Sequence, residues 1–219
     1  MSGHILLIGG GEISRGETKI IDDKLKSLVP TGSKLLFFPT AAGDSEGYIQ
    51  TIRQVFGDVL EVVPVTEAQG REYAVEQLQT AQAVYLGGGR TELLLDLFKK
   101  WDLTGALQGL LNRGGVVAGI SAGAQALSTV YIDFNATAQM GTKTGWNFSK
   151  VYCLVHAEEK QIVRAFDTYQ NSGKQADIPF VGIGERAAWH IYDGGTEKIG
   201  DGLVWFAPEG AIDNGVKAL

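Results

Sequence analysis

Residues Gly119-Ile120-Ser121-Ala122-Gly123 set a serine between two glycines in G-x-S-x-G spacing. The apolar run Val116-Val117-Ala118 precedes it, and Gln125-Ala126-Leu127 follows with helical character. The stretch reads as strand, sharp turn and helix, with the hydroxyl at the apex. A nucleophile on so tight a turn has a strained backbone, and only small residues two places to either side let strand and helix approach closely. The hydroxyl then lies beside free N–H groups of a helix start, where a developing oxyanion is stabilised. The competing reading is a glycine-rich turn whose serine caps the helix. The strand before the motif and the helix after it favour the nucleophile.

A serine hydroxyl needs an adjacent base. Three histidines are available: His4, His156 and His190. His4 begins the first apolar run, at the end opposite the expected site. His190 sits mid-strand between Trp189 and Ile191. His156 ends the run Val151–Val155 and precedes Ala157-Glu158-Glu159-Lys160, where a helix is expected to begin. Its position places it at the strand edge that carries Ser121. A third group should orient the imidazole and stabilise its cation. Glu185 follows the apolar run Phe180-Val181-Gly182-Ile183 and reaches the same edge. Asp133, between serine and histidine in the chain, is the competitor. Asp22, Asp23, Asp44 and Asp102 lie in surface-like contexts and are set aside.

The elements that must position these groups alternate along the chain. Strands are expected near 5–8, 34–38, 59–65, 83–86, 116–119, 151–155, 180–183, 187–192 and 203–206. Helices are expected over 18–28, 45–56, 71–79, 91–101 and 103–112. The first five strands are apolar with little alternation, as in strands covered on both faces. Leu93, Leu94, Leu97, Phe98 and Trp101 form one helical apolar stripe, read as core. The β-α-β-α order predicts an α/β fold: a doubly wound, mostly parallel sheet with helices on both faces. Residues 129–150 show no clear period and read as a long loop or short hairpin near the site. The last third reads as strand pairs separated by turns such as Asp193-Gly194-Gly195. No linker or repeat divides the chain, so 1–219 is read as one domain.

Open parallel sheets bind ligands outside the carboxyl ends of their strands. Gly9-Gly10-Gly11, Gly87-Gly88-Gly89 and the Ser121 turn all fall at such ends. Neither glycine cluster continues as G-x-G-x-x-G, and no G-x-x-x-x-G-K-[ST] exists, which argues against nucleotide binding. His156-Ala157-Glu158-Glu159 is not H-E-x-x-H and no cysteine pair exists, so neither metal nor cofactor is expected. Two-carboxylate glycosidase chemistry would give the glycine-framed serine no role.

The 219 residues are 44% hydrophobic and 20% charged, which suits a globular chain with a full core. The net charge of −6, with no Lys/Arg run able to track a phosphate backbone, argues against nucleic acid as a partner. The lone Cys153 sits in an apolar run and reads as a buried thiol. The first apolar run is too short for a signal peptide and no run is long enough to cross a bilayer, so a cytoplasmic location is expected.

Gly119-Ile120-Ser121-Ala122-Gly123-Ala124 resembles the G-x-S-A-G-A nucleophile segment of the peptidase E and cyanophycinase family of serine peptidases. Tyr85-Leu86-Gly87-Gly88-Gly89-Arg90-Thr91 is similar to that family's glycine-rich segment, with Arg90 where a short polar residue is expected. Leu7-Ile8-Gly9-Gly10-Gly11-Glu12 and Phe38-Pro39-Thr40-Ala41-Ala42 resemble its first two strand ends. Gly145-Trp146 through His156 resembles the stretch ending in the catalytic histidine, and Gly182-Ile183-Gly184-Glu185 with Ala187-Ala188 the late acidic segment. The resemblance implies a class I glutamine amidotransferase-like fold with serine at the nucleophile elbow. Its order Ser, His, Glu differs from the Ser, acid, His order of α/β-hydrolases.

It further implies a serine peptidase acting on a small peptide, with Ser121 as nucleophile, His156 as base and Glu185 orienting the ring, and Asp133 kept as the alternative acid. Backbone N–H groups of Ala122, Gly88 and Gly89 would hold the oxyanion. The implied substrate is a dipeptide with an acidic first residue, read by a basic side chain. Arg90, on the glycine loop, is favoured for this over Arg15 and Arg186. The opposing expectations are a non-catalytic small-molecule binder of the same fold and an amidase or esterase on a non-peptide substrate.

Overall fold

The unbroken apolar runs near residues 5, 35, 84 and 117 become the buried middle of a seven-stranded sheet. A computed structural model describes residues 3–134, 139–173, 178–211 and 215–219. Its strands are β1 (His4–Ile8), β2 (Lys34–Phe38), β3 (Glu61–Pro64), β4 (Ala83–Leu86), β5 (Val116–Ile120), β6 (Val130–Phe134), β7 (Met140–Thr144), β8 (Tyr152–Val155), β9 (Phe180–Ile183), β10 (Ala187–Tyr192), β11 (Gly195–Gly200), β12 (Val204–Ala207) and β13 (Lys217–Ala218). The helices are α1 (Lys19–Ser27), α2 (Glu46–Phe56), α3 (Gly70–Thr80), α4 (Thr91–Trp101), α5 (Thr104–Asn112), α6 (Ala122–Leu127) and α7 (Glu159–Asn171).

The first sheet has the order β11-β10-β1-β5-β4-β2-β3. Its five strands from β1 to β3 are mutually parallel, and β10 and β11 add on antiparallel. Alternate residues serve opposite faces, as the strand period of two requires. Ile5, Leu7, Leu36, Phe38, Val84, Leu86 and Val117 share a core with the apolar faces of α3, α4 and α5. Leu6, Ile8, Leu35, Phe37, Tyr85, Val116 and Ala118 share the other with α1 and α2. The stripe read on α4 is core, with Leu94, Leu97, Phe98 and Trp101 buried.

A second sheet, β13-β12-β9-β8-β6-β7, was not separated from the first by sequence patterning. β6, β8 and β9 are parallel, while β7, β12 and β13 run antiparallel to their neighbours. The division has a simple cause: β10 occupies the open edge of β1, so β8 and β9 must pair elsewhere. One face of the second sheet packs Tyr152, Leu154 and Phe180 on Ile162, Phe166 and Tyr169 of α7. The opposite face sends Cys153, Val155, Val181 and Ile183 into the core beneath α4 and α6. Cys153 is fully buried, and burial pushes its thiol up to about 12. Within 129–150 strands β6 and β7 pair as a hairpin; residues 135–138 lie outside the described residues. β10 and β11 turn through Asp193-Gly194, where a hairpin turn was expected.

Asp22 corrects the sequence reading. It lies on the inner face of α1 and is 3% exposed. Its Oδ2 accepts a 2.7 Å hydrogen bond from the Thr18 hydroxyl, while Oδ1 has no partner among the described residues. Burial pushes its carboxyl up to about 6, against the weaker pull of Thr18 and Lys26. The fold therefore favours the protonated form. The stabilisation from protonation is full below the ordinary carboxyl range and is lost as pH rises through about 6. Asp22→Asn keeps the acceptor and removes the charge, so it should stabilise the fold at pH 8 by about 2 kcal/mol. Thermal melts should show that gap at pH 8, a smaller one near pH 5, and its closure below the ordinary carboxyl range, near about pH 3.

Candidate active site

The end of β1 is a backbone template for the site. The carbonyl of Ile8 accepts the N–H of Ser121 at 2.9 Å, that of Gly9 accepts His156 at 3.2 Å, and that of Gly10 accepts Arg186 at 3.0 Å. Three consecutive carbonyls thus fix the ends of β5 and β8 and the residue after Glu185. This is how two sheets deliver their strand ends to one place.

Ser121 sits at φ 50, ψ −107, between β5 and α6. His156 and Arg186 also have positive φ, at 51 and 57. Non-glycine residues held there carry strain, and such strain concentrates at functional sites. The flanking glycines show why the motif spacing is needed. A Cβ on Gly119 would lie 2.4 Å from the Gly123 carbonyl carbon, and one on Gly123 would lie 2.4 Å from the Leu86 oxygen.

The side chains converge as the strand-end argument predicts. Ser121 Oγ lies 2.7 Å from His156 Nε2, and His156 Nδ1 lies 2.5 Å from Glu185 Oε1. With Nδ1 protonated toward the carboxylate, Nε2 presents its lone pair to the hydroxyl. Asp133, the competing acid, is instead ion-paired to Lys143 at 2.6 Å, and Lys143 also bonds Glu92 on α4. The other histidines stand at the far end of β1. His4 Nδ1 meets His190 Nε2 at 2.9 Å, and His190 Nδ1 meets Glu197 at 2.9 Å. Burial lowers the pKa of both.

Gly10 is a site residue that the motif reading did not single out for this reason. A Cβ there would lie 2.3 Å from Glu185 Oε2 and 2.6 Å from His156 Nδ1. The imidazole–carboxylate pair rests directly on its Cα.

The glycine loop lies against the serine: a Cβ on Gly88 would stand 3.6 Å from Ser121 Cβ. Gly88 N–H donates to the Tyr48 hydroxyl at 3.2 Å. The N–H groups of Gly89 and Ala122 have no acceptor among the described residues. A buried hydrogen bond from the Thr91 hydroxyl to Gln125 Oε1, 2.5 Å long, ties the start of α4 to α6 and so joins the segments that carry these two donors. Neither Tyr48 nor the Thr91–Gln125 pair carried a local signal, since each gains its meaning from a partner more than thirty residues away.

A cavity of about 410 Å³ opens beside Ser121, lined by Gly10 to Ser14, by Tyr48 and Thr51 of α2, and by Gly88, Gly89, Ile120 and His156. Arg90 is exposed and is not among its lining residues, and neither are Arg15 and Arg186. Among the described residues no group of three or more His, Cys, Asp or Glu is placed to hold a metal ion, and no helix is long and apolar enough to cross a membrane.

Known proteins share this architecture. An uncharacterized peptidase of Bacillus subtilis (strain 168), YgaJ, is 35% identical over 126 residues, 55% of this chain and 54% of that protein. Peptidase E of Streptomyces coelicolor is 29% identical over 120 residues, 54% of this chain and 48% of that protein. The aligned part spans about half the length of these curated relatives. The crystal structure of a peptidase from an acI-B1 Actinobacterium matches with TM-score 0.68 and 23% identity, covering 99% of this chain and 93% of that one. A structure assigned to peptidase E from Listeria monocytogenes EGD-e matches with TM-score 0.65 and 16% identity, covering 90% and 97%. These likenesses show the fold, which is class I glutamine amidotransferase-like. A family model described as peptidase family S51 matches residues 5–199, nearly the whole succession of strands described above, and the chain belongs to that family.

Proposed function

We propose that this protein is a serine peptidase that hydrolyses small peptides. The observation that carries the reading is the Ser121–His156–Glu185 chain of contacts, 2.7 Å and 2.5 Å long. In this reading Ser121 Oγ attacks the scissile carbonyl while His156 Nε2 takes its proton. Glu185 keeps the ring in the tautomer that leaves Nε2 free and stabilises the imidazolium. The tetrahedral oxyanion is held by the N–H groups of Gly89 and Ala122. Gly88, expected as a further donor, is engaged by Tyr48, so two donors support the reading rather than three. His156 then gives its proton to the leaving amine, and water resolves the acyl-enzyme by the reverse use of the same base.

The cavity volume of about 410 Å³ suits one or two residues rather than a folded protein. The acidic first residue implied by the family resemblance finds no Lys or Arg among the lining residues. The reading is therefore for small peptides without that restriction. A panel of dipeptides, followed by release of free amino acids, tests it. Cleavage by wild type that disappears in His156→Ala supports the proposal, and failure to cleave any member contradicts it.

Gly10→Ala should lower kcat about 100-fold, because displacing the ring by an ångström costs that much alignment. Steady-state kinetics on the best dipeptide, beside a circular dichroism spectrum matching wild type, checks this. Activity within threefold of wild type would show that the pair does not need its glycine seat.

A further inference from the structure

Among the side chains lining the cavity beside Ser121, Glu12 alone carries a permanent charge. It stands on the turn that follows β1, two residues beyond Gly10, on whose Cα the His156–Glu185 pair rests. Its carboxylate is held in place. Oε1 accepts the Ser14 N–H at 3.3 Å and the Ser14 hydroxyl at 2.8 Å, capping the short 3-10 turn Ile13–Arg15. No partner of Oε2 is found among the described residues. The Glu12 backbone N–H is in turn bound by Glu17 Oε2 at 2.8 Å, which adds a second carboxylate at this rim. Arg15, whose charge acts on Glu12, is exposed and is not a lining residue.

Burial pushes the Tyr48 hydroxyl, another lining group, up to about 12, against the Gly88 hydrogen bond, with Asp22 and Glu12 adding smaller increments. The Ser14 hydrogen bonds lower the pKa of Glu12 itself and keep it ionised. A ligand group entering the cavity meets one fixed negative charge and the hydroxyls of Ser14, Tyr48 and Thr51. A carboxylate would be repelled there, and an ammonium or guanidinium would be attracted.

We propose that Glu12 is a specificity-determining residue that selects peptides presenting a positive charge beside the scissile bond. This rests on the peptidase reading of the same cavity. Two sources share the chemistry: the free N-terminal ammonium and a basic side chain. Glu12 is exposed, so the pair is screened and its effect is moderate.

The test compares wild type with Glu12→Gln, which retains the acceptor for Ser14. The substrates are dipeptides with Lys, Ala or Asp as first residue, each with a free or an acetylated N-terminus. Wild type should favour the cationic member of a pair by about fivefold in kcat/KM at low salt, less at high salt, and Glu12→Gln should abolish the preference. A preference that vanishes on acetylation identifies the N-terminal ammonium. One that follows Lys over Ala in acetylated substrates identifies the side chain. The same peptides bound to Ser121→Ala and to Ser121→Ala/Glu12→Gln read selection without turnover. If nothing is cleaved while the charge preference in binding persists and depends on Glu12, the peptidase reading fails and this one stands. A preference unchanged by Glu12→Gln, or wild-type preference for an Asp first residue, overturns it.

Discussion

Ser121→Ala should abolish turnover, with kcat falling about 10⁵-fold or more while peptide binding persists. Among the hydroxyls that line the cavity, that of Ser121 is the one hydrogen-bonded to the His156 imidazole, whereas those of Ser14, Tyr48 and Thr51 are engaged by Glu12, Gly88 and Gly47. The Ser121 neighbours Gly88, Gly89, Ile120 and Ala122 bear no nucleophilic side chain. Cys153 is buried in the core as a neutral thiol. The variant should also fold normally, because the contacts that shape the elbow are made by its backbone: the N–H to Ile8 and the close approach of Gly119 to Gly123. Residual hydrolysis would reflect substrate binding and the oxyanion donors alone. Kinetics to the detection limit, with calorimetric binding of an uncleaved peptide, measures both parts.

Glu185→Gln should lower kcat about 10³-fold with KM near wild type. The glutamine amide can present N–H to His156 Nδ1, which favours the tautomer whose Nε2 carries the proton and so removes the base. Loss of a buried acid of this kind costs about 10⁴. Glu185 and His156 are both about half exposed at the side chain, and solvent supplies part of the missing stabilisation. Asp133→Asn is the matched control. It breaks an ion pair with Lys143 on the β6–β7 hairpin and should change kcat only a few-fold. Reversal of the two effects would restore Asp133 as the acid.

The contrast between these carboxylates shows where the sequence was legible. Ser121, His156 and Glu185 each follow an apolar run, and the rule that parallel strands present their carboxyl ends to ligand was enough to bring them together. That rule does not need the correct number of sheets. β8 and β9 belong to a second sheet, yet their ends reach the site because Gly9 and Gly10 extend β1 past its last paired residue and bind the backbones of His156 and Arg186. Strand pairing between distant segments leaves little local trace when each strand has four residues, as β8 and β9 do. Asp22 was misread for a related reason. Its neighbours Asp23 and Lys24 look like a solvated helix face, and only the docking of α1 decides which side of the helix is inward. Arg90 followed the glycine loop in sequence, but its side chain is exposed and it does not line the cavity, whereas Glu12 does.

In this mechanism the Ser121 oxygen becomes nucleophilic through His156. Labelling with a fluorophosphonate probe, followed by mass mapping of the modified peptide, tests this most directly. The expected result is one adduct on Ser121 in wild type, absent in Ser121→Ala and slowed at least 100-fold in His156→Ala. No adduct in wild type, or labelling at Ser121 as fast without the imidazole as with it, would contradict the account.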